Sequence, residues 1–232
     1  MLGKYAQPII EKIEKIRLAF GGHPERVFER NMEDRLFDET WKYIKDNLSR
    51  ASCMRNWQSM FDYVAPRLPA GDILEFGVAR GKTINYLADR LPGRKMYGFD
   101  SFESFPEPYV GWLDSHDKFD YKGVLPPVRN NVCLVKGFFD DTLLGFLEAN
   151  PGDNVAFIHI DCDLYSSTKT VLNALKPRMK DTYIQFDEYF NYWCWQEHEC
   201  KAFHEFMDEN PSLSFEFIAF TWRQVLVKVT SR

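Results

Sequence analysis

The chain has 232 residues, 45% hydrophobic and 27% charged, which supplies one large core and is far from the composition of a disordered polymer. Its 29 basic and 34 acidic residues leave a net charge of −5, without the positive footprint that nucleic-acid binding needs. No apolar run approaches the roughly 18 residues of a membrane helix, and the charged, amphipathic start does not read as a secretory signal. Five cysteines, an odd number, fit reduced thiols. A cytoplasmic protein with neither nucleic-acid nor membrane partners is expected.

Residues 1–69 read as a helical extension. Ile9, Ile10, Ile13, Ile16 and Leu18 recur near the 3.6-residue period. Leu36, Phe37, Trp41, Ile44 and Leu48 repeat it, then Met54, Trp57, Met60, Phe61 and Val64, stopping before Pro66 and Pro69. This extension is expected to serve as a lid, a homodimer surface or packing for the main domain. From 70 to 232 short apolar runs alternate with helical patterns. Strands are expected at 73–76, 95–100, 132–135, 155–161, 182–187, 214–220 and 224–229, with helices at 82–91, 141–149, 166–179 and 197–208. Such alternation predicts an α/β fold with a doubly wound, mostly parallel seven-stranded sheet and a terminal hairpin on one edge. The stretch 101–130 lacks any period and follows the carboxyl end of a strand, where it reads as a lid or substrate loop. Cys194, His198, Cys200 and His204 match no common zinc spacing and read as one face of a surface helix, with His198 in solvent.

Three features carry chemistry. Glu75-Phe76-Gly77-Val78-Ala79-Arg80-Gly81-Lys82-Thr83 closes a strand and opens a helix. It is one residue short of a P-loop and breaks the dinucleotide fingerprint, leaving a Glu-x-Gly-x-x-x-Gly turn suited to an amino-acid-bearing ligand. Asp100, about 20 residues on at the next strand tip, suits ribose hydroxyls. Asp161, Asp163, Asp187 and Glu188 end two later strands; converging acids without a local Lys or Arg call for a hard cation such as Mg²⁺ or Mn²⁺. At least one of the four is expected elsewhere, with Asp163 capping the next helix or Glu188 in solvent.

The segments ILEFGVARGKT, YGFDSFESFPE, LVKGFFDDTL, FIHIDCDLYSSTKTVL and QFDEYFNY recur in that order. Over residues 71–206 the chain resembles class I S-adenosylmethionine-dependent methyltransferases, and more narrowly the metal-dependent sugar O-methyltransferases typified by macrocin O-methyltransferase. The resemblance implies that Glu75, Gly77, Gly81 and Thr83 hold the methionine part of S-adenosylmethionine. It places Asp100 on the ribose with Ser101 and Phe102 beside it, and Gly137 and Phe138 along the adenine. It makes Asp161, Asp187 and Glu188 ligands of a divalent cation, Mg²⁺ first, and Asp161 the general base. The family's commoner metal pair is Asp-Asp or Asp-Asn, and Glu188 is one methylene longer. The implied acceptor is a hydroxyl on a sugar or glycosylated small molecule. Rival readings are a catechol-like phenolic O-methyltransferase, a non-catalytic S-adenosylmethionine-binding module and, on Lys82, a P-loop-type kinase.

Overall fold

A computed structural model describes residues 12, 13, 15, 24–109 and 119–232. The first expected helix, on Ile9 to Leu18, lies outside them except for Lys12, Ile13 and Lys15, which are helical; so does the middle of the 101–130 loop, at 110–118. The chain divides into two compact units, 1–44 and 45–232. Helix α1 (Pro24–Asn47) crosses that boundary. Its exposed Phe28, Phe37 and Trp41 stand among charges, so it has only a thin apolar stripe.

Among the described residues of 45–232, eight strands form one sheet: β1 (Ser52–Cys53), β2 (Asp72–Phe76), β3 (Met96–Asp100), β4 (Val132–Lys136), β5 (Val155–Ile160), β6 (Asp181–Phe186), β7 (Leu213–Phe220) and β8 (Val225–Ser231). Their order is β1-β7-β8-β6-β5-β2-β3-β4. Only β8 runs against its neighbours, and it sits between β6 and β7. The expectation of seven strands misses β1, whose two residues pair with Ala219 and Phe220 of β7 and are too few to show any period.

Helices cover both faces. On one lie α2 (Trp57–Val64) and α3 (Lys82–Arg90), which bury Met60, Phe61, Ile84 and Leu87 against Ile73 and Phe157. On the other lie α4 (Phe139–Ala149), α5 (Tyr165–Leu175) and α6 (Glu199–Glu209), where the Phe76–Phe99 stack meets Phe139 and Phe186 meets Phe203. Asn56 starts α2 by accepting the Ser59 N–H at 3.0 Å. The segment 45–69, read from sequence as part of the extension, thus builds the sheet's own unit: β1 enters the sheet and α2 packs beneath it. No helix among the described residues is long and apolar enough to cross a membrane.

From β2 the chain winds outward through β3 and β4, then returns to place β5 on the other side of β2. The carboxyl ends of β2 and β5 therefore border the crevice where such sheets bind ligands.

Candidate active site

At that crevice β2 ends in Gly77. A Cβ there would stand 1.7 Å from the Asp161 carbonyl oxygen, and the backbone has φ +93°, so only glycine lets the two strand ends meet. Gly81, at φ +75°, is the N-cap of α3. Asp100, ending β3, folds back on this turn: Oδ2 accepts the N–H groups of Val78 and Ala79 at 2.8 Å each, and Oδ1 accepts that of Phe102 at 2.7 Å. The Gly137 N–H donates to the Asp100 carbonyl at 3.0 Å, bringing Phe138 to the start of α4.

These elements enclose a cleft of about 360 Å³ whose wall includes Gly77, Asp100, Ser101, Phe138, Asp161 and Glu188. The other predicted residues stand off that wall. Glu75 is 1% exposed beneath the turn, where it accepts the Thr83 hydroxyl at 3.0 Å and His159 Nδ1–H at 2.9 Å. Phe102 is fully buried in the apolar core, so it meets Asp100 through its backbone rather than lining the cleft with its ring. An aromatic ring at Phe138 and a carboxylate at Asp100 suit the two ends of an adenosine.

The acids converge from β5 and β6. Ile160 pairs with Phe186, and the Asp187 N–H donates to the Ile160 carbonyl at 2.9 Å, so Asp161 and Asp187 stand side by side on one edge. One nitrogen of His159 and one carboxylate oxygen each of Asp161 and Asp187 lie within 4.8 Å of one another. Burial, then Asp187, Glu75, Glu188 and Glu199, push the Asp161 carboxyl well above its ordinary range. Burial raises Asp187 as well, against the pull of His159.

Neither exit expected from the sequence is taken. Asp163 adopts φ +61° and shares a hydrogen bond with Glu188, while α5 starts without any side-chain cap. Glu188 does not point into solvent, because Oε1 accepts Arg223 Nη1 at 2.9 Å. Two further participants have no local sequence signal. Glu199, wholly buried at the start of α6, accepts the Glu188 N–H at 3.0 Å through Oε2, and its Oε1 has no partner. Burial, then Glu188 and Asp163, raise its carboxyl. Arg223 comes from the turn between β7 and β8. His198 is buried rather than solvated, with the Tyr109 ring 4.7 Å from its own. Two carboxylates beside a buried imidazole nitrogen that has no hydrogen bond form a donor set that fits a divalent cation.

A doubly wound sheet with antiparallel β8 between β6 and β7, a glycine turn after β2 and an acid at the tip of β3 has the class I methyltransferase fold. The profile of the macrocin-O-methyltransferase (TylF) family matches residues 23–223. The chain belongs to that family and is an S-adenosylmethionine-dependent O-methyltransferase. It is 30% identical over 187 residues, 69% of each chain, to the 8-demethyl-8-(2,3-dimethoxy-alpha-L-rhamnosyl)-tetracenomycin-C 4'-O-methyltransferase of Streptomyces olivaceus. In fold it is similar to the calicheamicin methyltransferase CalS11, at TM-score 0.54 and 20% identity over 90% of this chain and 94% of that one. It is also similar to the O-methyltransferase NovP, at TM-score 0.52 and 21% identity over 75% and 78%.

Proposed function

We propose that this enzyme methylates a hydroxyl of a sugar or glycosylated small molecule, with a divalent cation at the acid cluster. One observation carries the reading: Asp161 and Asp187 meet on the strand edge that also bears the Gly77 turn and Asp100. The name of the Streptomyces olivaceus relative, which carries a rhamnosyl group, supports a sugar-bearing acceptor.

The methyl donor supplies an electrophilic sulfonium methyl. Asp100 is the ribose anchor in this reading. A carboxylate offers about four acceptor sites, and three are taken by Val78, Ala79 and Phe102. The turn's N–H groups thus hold the acid in place, and about one site remains for a hydroxyl. Glu75 and Thr83 act from beneath, fixing the turn on α3. Gly77, Gly81 and Gly137 shape the backbone, while Ser101 and Phe138 contact the nucleoside from the wall.

Asp161 faces the cleft with a raised proton affinity and takes the hydroxyl proton as the oxygen bonds the methyl carbon and the S–CH3 bond breaks, the electron pair leaving on the sulfur of S-adenosylhomocysteine. A divalent cation would be held by Asp161 and Asp187, and by Glu188 once its ion pair with Arg223 opens; it would supply Lewis acidity toward the acceptor oxygen. A methyl-transfer screen across sugars, glycosides and catechols, with and without EDTA, tests both halves. Turnover on glycosides that EDTA abolishes is the expected result. Turnover on catechols alone overturns the acceptor, and EDTA-insensitive turnover overturns the cation.

A further inference from the structure

We infer that Trp222 is the stacking platform for the body that carries the methylated sugar, a flat apolar or aromatic group attached beyond the reacting ring. The inference rests on the sugar-bearing acceptor proposed above and assigns a place to the rest of that acceptor.

Three consecutive residues of the turn between β7 and β8 step outward from the acids. Gln224 Nε2 donates to Asp187 Oδ1 at 3.1 Å, and Arg223 Nη1 donates to Glu188 Oε1 at 2.9 Å. Trp222, the next residue, is 60% exposed. Its ring is nevertheless held. The guanidinium carbon of Arg223 lies 4.4 Å over the Trp222 ring and 5.6 Å over the ring of the buried Tyr192. One face of the indole is thus covered by a side chain that Glu188 pins, and the other face is open. The backbone beneath is tied to the segment that follows β6. Asn191 Nδ2 donates to the Trp222 carbonyl at 3.1 Å, and the Tyr189 and Phe190 N–H groups donate to the Arg223 carbonyl at 3.1 and 3.4 Å. Trp193 lies in that segment and is also exposed; among the described residues of 45–232 these two are the exposed tryptophans.

An acceptor hydroxyl delivered to Asp161 stands beside Asp187, and the donor lies along Gly77 and Asp100. A group attached to the sugar therefore leaves the cleft past Glu188, toward this turn. The open face of the indole buries nothing in the folded chain, so a ring laid on it removes apolar surface of both partners from water. Because the indole already has one orientation, stacking on it costs little conformational freedom.

Saturation-transfer NMR on the full chain with S-adenosylhomocysteine tests this, with methyl and 4-methylumbelliferyl α-L-rhamnopyranoside as probes. The umbelliferyl glycoside should bind about tenfold more tightly, with the strongest saturation on its coumarin protons. Trp222→Ala should abolish that advantage while shifting the methyl glycoside by less than about twofold, and Trp222→Phe should restore most of it. Equal binding of the umbelliferyl glycoside by the native protein and Trp222→Ala overturns the platform and leaves the sugar reading standing. A change of oligomeric mass in Trp222→Ala, measured by light scattering, overturns it equally, making the indole an interface between copies. Binding of neither glycoside removes the platform and the sugar reading together.

Discussion

The two halves of the cleft differ in how well their polar groups are satisfied. Around the glycine turn both acids have partners: Asp100 receives three backbone N–H groups, and both oxygens of Glu75 are bound. Across the cleft, Asp161, Asp163, Asp187, Glu188 and Glu199 crowd together against Arg223 and His159. Nε2 of His159 and Oε1 of Glu199 are buried without partners there. The first half is closed by its own hydrogen bonds, and the second gathers five acids around one guanidinium and one imidazole. Unsatisfied buried groups are costly, so such a concentration marks where a ligand belongs.

The comparison predicts a graded set of responses. Asp161→Ala should cut turnover by about 10³-fold or more while S-adenosylmethionine affinity, measured by calorimetry, stays within about threefold. A joint loss of both would mean that the acid side also holds the donor. Asp100→Ala should act oppositely, weakening cofactor binding by about 10–100-fold through loss of charge-assisted bonds, with turnover at saturation nearly kept.

Gly77→Ala tests the contact between the halves. Its Cβ cannot coexist with the Asp161 carbonyl, so urea unfolding should show a loss of about 2–4 kcal/mol. An unchanged midpoint would show that the strand ends are free to part.

His204 gives the smallest effect and lies behind the acid side, where its Nε2 meets the Tyr189 hydroxyl at 3.1 Å. Burial lowers its affinity for a proton. Its contribution is therefore present above the unfolded value of about 6.5 and lost as pH falls through the lower folded value. His204→Gln should shrink the drop in melting temperature between pH 7 and pH 5 by about 1–3 °C, read by thermal scans.

Most strands and helices of the sheet unit were legible because their signal is local: a period of two or 3.6 within a dozen residues. The 155–161 and 182–187 runs ended one residue beyond β5 and β6 for that reason. β1 escaped because two residues carry no period, and the allocation of 45–69 escaped because a helix's pattern does not say what it packs on. His159 was visible as the residue two before Asp161, sharing its face. Nothing nearby marked it as a candidate, since its meaning depends on Glu75 and Asp187.

What the sequence determined alone was the alternating architecture, the glycine turn, the acids at the strand tips and the family. Each of these is written in neighbouring residues or in the order of short segments. Tertiary structure alone decided which charges meet: Glu75 with His159 across 84 positions, and Glu188 with Arg223 across 35. The physical reason is that a carboxylate's partner, burial and proton affinity depend on distances of a few ångströms, and only the closed sheet brings residues this far apart in the chain to such distances.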